Sequence, residues 1–416
     1  MVIQPYLTYG SFLWWQKTEL SFVKTKLNHL QRLVCLGITG ALSTTPTAGM
    51  EALLGIAPLN LRVVAEAKHT AYRLKKKGQN KFNEIGHSKI WQRISFFDKV
   101  SNAPMDSINK KLNIDKKLKT KIPSRDDSEI LNMTPLDIIK VFTDGSFKDN
   151  KAGAGIFCEE PHLEEVLNLG KYPTVFQAEV IAISRAAEAL INKNIANKNI
   201  IVFSDSQAAI KALDNYWCTS VLVDEGWRNL QRLAANNEVT ICWVPGHSGI
   251  EGNEKADELA RNGSENEYVG PTICLPLPYS CFRMQVKNWL SSEHNKLWRS
   301  LDYCRQTKDY LSDIDTSKTR ELWKLPKNKL CTVMGVLTGH CHVNKHLHNL
   351  GLVRSTLCDR CSTDEESAYH IVCLCPAYAR LRFRVLGDHT LNLDQYKKLT
   401  VSEVLRFVEL TGRFSI

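Results

Sequence analysis

Nowhere in its 416 residues does the chain hold a run of 18 or more uncharged apolar residues, which argues against a membrane-spanning helix. The N-terminus also lacks the basic-then-apolar pattern of a secretion signal, carrying Gln4, Lys17, Glu19 and Lys24 among its first residues. Paired cysteine spacing is scarce too: the 13 cysteines are odd in number, most stand alone in apolar stretches, and the tight cluster lies beside histidines near the C-terminus. That usage points to reduced thiols and one metal site rather than a disulfide framework. The expected setting is intracellular, cytoplasmic or nuclear, with no membrane partner.

Positive charge is missing from the middle of the chain. The formal +10 is localised: residues 1–137 hold 21 Lys+Arg against 11 Asp+Glu, residues 138–264 hold 12 against 17, and residues 265–416 hold 21 against 16. A chain that grips a polyanion is basic where it touches phosphate, so the basic ends and the acidic middle are expected to have different jobs.

What is present divides the chain into four. Residues 1–100 read as a helical segment: Leu20, Val23, Leu27, Leu30 and Val34 recur at spacings of three and four, with Gln31 and Arg32 off the stripe and Gly37 and Gly40 as terminators. Residues 101–137 are polar and Lys-rich and read as a basic linker. From Ile138 to Ser264 the pattern is α/β: strands "IIKVFTDGSF" and "KAGAGIFCEE", a third near Glu165–Gly170, the Ala-rich helix "FQAEVIAISRAAEALI", the strands "NIIVFSD" and "EVTICWV", and a last helix from about Asn253. Residues 265–416 read as a mostly helical region after a Pro-containing stretch.

Four acids occupy places that can converge: Asp144 and Asp205 at strand ends, Glu179 and Asp257 in helices. An Asp before Gly-Ser is ordinarily a turn residue. Glu179, however, lies among Ala178, Val180, Ile181 and Ala182, where an unpaired carboxylate is costly unless cations offset it. Hard divalent cations take oxygen ligands, and a pair of them suits in-line phosphodiester hydrolysis.

The motifs "FTDGSF", "QAE", "FSDSQAAI" and "WVPGHSGIEGNEKADELA", in this order, closely resemble type 1 ribonuclease H. The resemblance covers residues 138–264 and implies a ribonuclease H-like fold with a mixed five-stranded sheet flanked by helices. It implies cleavage of the RNA strand of an RNA:DNA hybrid, with two Mg²⁺ (or Mn²⁺) held by Asp144, Glu179, Asp205 and Asp257, and His247 as a mobile proton carrier. Gly145, Ser146, Asn150, Gln207 and Asn253 match positions near the nucleic acid, whereas Phe176 stands where a polar residue is common. No small-molecule cofactor is implied. Many family members carry a basic protrusion after the helix that follows Asp205; here no Lys or Arg occurs between Asp214 and Trp227. Lys75, Lys76, Lys77 and the Lys110–Lys121 stretch are the expected substitute.

The flanks resemble the C-terminal part of insect-type non-LTR retrotransposon polyproteins, through "LQRLVCLGITGALSTTPTAGMEALLGIAPLNL" and "CDRCSTDEESAYHIVCLCP". The second implies one structural Zn²⁺ on Cys358, Cys361, His370 and Cys375. Cys373 competes for the fourth place, and His340, Cys341, His342, His346 and His348 are alternatives. No "ADD" triplet of a polymerase occurs, so the expectation is a C-terminal piece without DNA synthesis, either an active hybrid nuclease or a catalytically silent nucleic-acid-binding relic.

Overall fold

Every α-helix needs one face to bury, and in this chain the faces come from distant parts of the sequence. A computed structural model describes residues 3–76, 104–114, 116–124, 138–149, 151–266 and 275–414. They fall into two compact units, one from the two ends of the chain, up to Arg73 and from Val286, and one from its middle, up to Gln285.

The terminal unit holds α1 (Ile3–Thr8), α2 (Ser11–Trp14), α3 (Ser21–Thr39), α4 (Thr47–Leu54) and α5 (Leu59–Lys76) from the N-terminal side. Helix α3 runs through Gly37 and ends at Gly40, whose φ of 67° takes the left-handed conformation that glycine adopts without penalty. Its buried row is Leu27, Gln31, Cys35 and Thr39, not the expected stripe, and Leu20 and Leu30 are exposed. Gln31 belongs inside because its amide donates to the Ala57 carbonyl at 3.3 Å, a polar partner that counting apolar residues cannot see. Helix α4 is covered by the C-terminal half of the chain: Met50, Leu53 and Leu54 share one core with Trp298, Tyr310, Leu322, Met334 and Phe407. The indole of Trp323 donates to the Leu54 carbonyl at 3.0 Å and Thr319 to that of Leu53 at 3.1 Å, so α4's unpaired C-terminal carbonyls are satisfied.

The middle unit is a six-stranded sheet, not the five-stranded one expected. In chain order its elements are β1 (Lys111–Leu112), β2 (Lys119–Lys121), β3 (Ile138–Lys148), β4 (Lys151–Cys158), β5 (Leu163–Gly170), α6 (Val175–Asn192), β6 (Asn199–Ser204), α7 (Gln207–Asp214), β7 (Trp217–Cys218), α8 (Val221–Ala234), β8 (Glu238–Trp243) and α9 (Glu251–Glu265). The sheet order is β2-β8-β6-β3-β4-β5, parallel from β2 to β3 and antiparallel from β3 to β5. Buried Val141, Ile156, Val202 and Ile241 pack with Val180, Ile183, Leu190 and Leu230 of α6 and α8, while Phe142, Phe203 and Cys242 meet Ala256 of α9. Gly155 lets α9 lie directly on β4: a Cβ there would sit inside the radius of the Ala256 carbonyl oxygen.

The extra strand comes from the stretch read as a linker. Residues 104–114 and 116–124 are docked on the domain: β1 pairs antiparallel with β7, and β2 pairs parallel with β8. Lys-rich strands are poor apolar formers but suit a sheet edge, and this edge is invisible to a pattern search because β2 is three residues long. Asp106 fastens the segment. Its carboxylate accepts from Ser220 Oγ at 2.7 Å, the Leu222 N–H at 3.1 Å and Gln177 Nε2 at 3.0 Å. Asp106→Ala should therefore lower stability by about 2 kcal/mol or more, since hydrogen bonds to charged groups are worth roughly 1.5–3 kcal/mol each, and denaturant unfolding of the full chain would read the loss.

Candidate active site

Neighbouring strands β3 and β6 bring two of the acids together. Thr143 and Ser204 are register partners, so Asp144 and Asp205, each the next residue, leave adjacent strands at the same level. The indole Nε1 of Trp243 donates to the Asp205 carbonyl at 2.9 Å and fixes the chain there. Glu179 arrives from α6. That helix starts with a capping box in which Thr174 and Gln177 exchange side-chain and backbone hydrogen bonds, and Gln177 also reaches Asp106 and the Pro276 carbonyl. Gly145 permits the approach, because a Cβ on it would stand 2.6 Å from the Glu179 nitrogen.

Oxygens of Asp144, Glu179 and Asp205 consequently lie within 4.8 Å of one another. Burial, reinforced by the charges of Asp205 and Asp257, pushes Asp144 up to about 7. Burial first and then Asp144 and Asp205 hold Glu179 well above the usual carboxylate range, and burial with Asp257 raises Asp205. Glu179 Oε2 is buried without a hydrogen-bond partner. An orphaned oxygen in a cluster of mutually repelling acids fits a site for hard divalent cations, since bound positive charge removes both penalties.

Asp257 stands outside this trio. Its Oδ2 pairs with Arg261 at 2.9 Å and lies 3.8 Å from Nδ1 of His247. His247 is 86% exposed on the Gly246–Gly249 turn, with a left-handed φ of 50°. Of the residues expected near nucleic acid, Gly145 and Ser146 are half-buried on β3, Gln207 opens α7, Asn253 is buried with its Oδ1 unpartnered, and Asn150 falls outside the described residues. Ser204, which hydrogen-bonds Glu179, and Arg261 were not picked out from sequence. Gln177 could have been, from its place three residues after Thr174.

The second cluster lies in the terminal unit. Ligand atoms of Cys358, Cys361, His370 and Cys375 are within 4.8 Å of one another. Cys358 Sγ is 3.9 Å from Cys375 Sγ, and Cys361 Sγ is 3.4 Å from His370 Nε2. Cys375 rather than Cys373 completes the set, because Cys373 points into the apolar core. The alternative histidines form a different arrangement: the rings of His340 and His346 are 4.7 Å apart and both contact Thr44 Oγ1. Despite some desolvation, hydrogen bonds from Thr363, Asp364 and His370 bring the Cys361 thiol down to about 6. A four-ligand Cys₃His set of this kind suits tetrahedral Zn²⁺.

The raised carboxylates give a sign to the pH dependence. The folded state holds protons on Asp144 that the unfolded chain releases near 4, so in the absence of divalent metal stability falls as pH rises from about 4 to about 7. Asp144→Asn removes that cost. It should raise the melting temperature of the metal-free protein by several degrees at pH 8 and have little effect at pH 4, as calorimetry in EDTA would show.

Residues 137–265 match the family model described as RNase H. The chain is 33% identical to human Ribonuclease H1 over 147 residues, 31% of this chain and 51% of that protein, so it spans about half the length of that relative. It is 32% identical to Ribonuclease H of Aromatoleum aromaticum over 142 residues, 30% of this chain and 90% of that protein. Against Ribonuclease H of Dechloromonas aromatica it is 33% identical over 148 residues, 32% of this chain and 97% of that protein. With strand order, carboxylate convergence and these relatives in agreement, the chain belongs to the ribonuclease H family.

Proposed function

We propose that the middle unit hydrolyses the RNA strand of RNA:DNA hybrids by two-metal-ion chemistry. The observation that carries this reading is the convergence of Asp144, Glu179 and Asp205 around a buried, unpartnered Glu179 oxygen. Asp144, Glu179 and Asp205 would hold two Mg²⁺ or Mn²⁺ ions together with Asp257, and such ions, when bound, stabilise the charge that builds on the attacking and leaving oxygens of an in-line displacement. In the reaction a water oxygen forms the new P–O bond, the P–O3′ bond breaks, and the 3′ oxygen takes up a proton. His247 serves that proton transfer. It is solvent-exposed on a Gly-flanked turn, with Nδ1 3.8 Å from Asp257, and an imidazole carries both a proton donor and an acceptor nitrogen.

The Cys₃His cluster is proposed to hold one structural Zn²⁺, which would fasten the Cys358–Cys361 turn to the His370–Cys375 turn. Derivation from a non-LTR retrotransposon is supported by the "LQRLVCLGITG" and "CDRC" flanking motifs. Nuclease activity against silent nucleic-acid binding is decided by one assay.

Incubated with an end-labelled hybrid, the full chain should cut RNA in Mg²⁺ or Mn²⁺ and not in Ca²⁺, whose longer bonds and looser coordination do not suit this geometry. Asp205→Asn should abolish cutting. His247→Ala should slow it by about 10²–10⁴-fold, the usual contribution of a general acid or base, without abolishing it. Hybrid binding without metal-dependent cutting would establish the silent binder instead. Separately, one equivalent of zinc should copurify and Cys361→Ser should lose it while cutting persists; unchanged zinc in elemental analysis of that variant would refute the ligand set.

A further inference from the structure

A domain with 12 basic and 17 acidic residues between positions 138 and 264 must still hold a polyanion in order to cut a hybrid. The structure shows what changes that balance. Residues 104–124 contain Lys110, Lys111, Lys116, Lys117, Lys119 and Lys121 against Asp106 and Asp115, and they dock where the domain is acidic. Lys111 pairs with Asp224 at 2.7 Å, Lys116 with Asp214, and Lys119 with Glu238. These lysines neutralise acids of the α7–α8 region and of the start of β8. Among the described residues Lys110, Lys117 and Lys121 form no ion pair. All of them are exposed, and the Lys110 ammonium rides 4.1 Å above the half-exposed ring of Trp217.

Register places Lys121. It partners Cys242, Cys242 partners Phe203, and Phe203 partners Phe142, so the four form one row across the sheet. Side chains alternate along a strand and neighbouring parallel strands are in phase. Lys121 therefore stands on the face of Phe142 and of Asp144 two residues on, at the carboxylate end of the sheet. At a strand spacing of about 4.8 Å, β2 lies roughly 10 Å from β6 and roughly 14 Å from β3. That is well inside one turn of a duplex, about 34 Å.

We propose that the docked 104–124 segment is the domain's phosphate-binding edge: the Lys111, Lys116 and Lys119 pairs cancel the domain's own acids, and Lys110, Lys117 and Lys121 take phosphates of the hybrid flanking the cut. This rests on the hybrid as substrate, so binding is measured apart from turnover.

The test uses the full chain carrying Asp205→Asn and a fluorescent hybrid duplex, with anisotropy recorded from 50 to 200 mM KCl. Each phosphate contact contributes about 0.9 to the slope of log affinity against log salt, as calibrated on duplex DNA. Replacing Lys110, Lys117 and Lys121 by Gln together should make the slope shallower by about 2–3 and weaken binding roughly tenfold or more at the lower salt. Lys121→Gln alone should cost about 0.9 of slope. Gln at Lys324, Lys327 and Lys398, exposed in the terminal unit, should change little. Unchanged slope and affinity in the triple variant, or an equal loss in the control variant, would overturn the proposal. A parent chain that binds hybrid but never cuts it would sink the nuclease reading and leave this result standing.

Discussion

Like charges held together in a dry place are the constraint around which the middle unit is built. Asp144, Glu179 and Asp205 crowd within 4.8 Å of one another, and an arrangement so costly persists only where surrounding structure over-determines it. The parallel register of β3 and β6 fixes two of the acids, and the capped start of α6 fixes the third. Gly145 makes room for the close approach, and the Trp243 indole fixes the backbone at Asp205. Each device is a local feature of ordinary kind; together they leave the carboxylates no way to spread apart.

The same constraint explains the Lys-rich segment. On the proposed function the acidic domain would face a polyanionic substrate, and positive charge added by separate chain can be placed without disturbing the carboxylates. Asp106 is the fastening point, since it ties this segment to the N-cap of α8 and to Gln177 two residues before Glu179. A chain stretch of linker composition is thus mechanically continuous with the helix that delivers a candidate metal ligand.

The terminal unit solves a different problem. The two ends of the chain share one core, drawn mostly from the C-terminal part, in which Met50 and Leu53 pack with Met334 and Phe407. The Cys₃His cluster sits in this unit, behind Arg382, whose guanidinium is fully buried and donates to the carbonyls of Ile371, Val372 and Cys375. That clamp shapes the His370–Cys375 turn from which two of the four ligands project.

Motifs with fixed chemistry were legible in the sequence. The order of "FTDGSF", "QAE", "FSDSQ" and "GHSGIEGNEKAD" determined the α/β domain and the carboxylates, because these residues act through short-range geometry: a strand end, a helix start, a glycine turn. The Cys-x₂-Cys pair was equally plain. Hidden were the features that depend on a partner far along the chain. Gln31 turned inward to meet Ala57, the short strand β2 found an edge at β8, Asp106 found Ser220 and Gln177, and residues before Arg73 found a core after Val286. Hydrophobic periodicity records only that a residue prefers burial or exposure. Which surface buries it, and which acid a lysine meets, is set by tertiary packing, where a single hydrogen bond or an open sheet edge outweighs the local preference of a few polar residues.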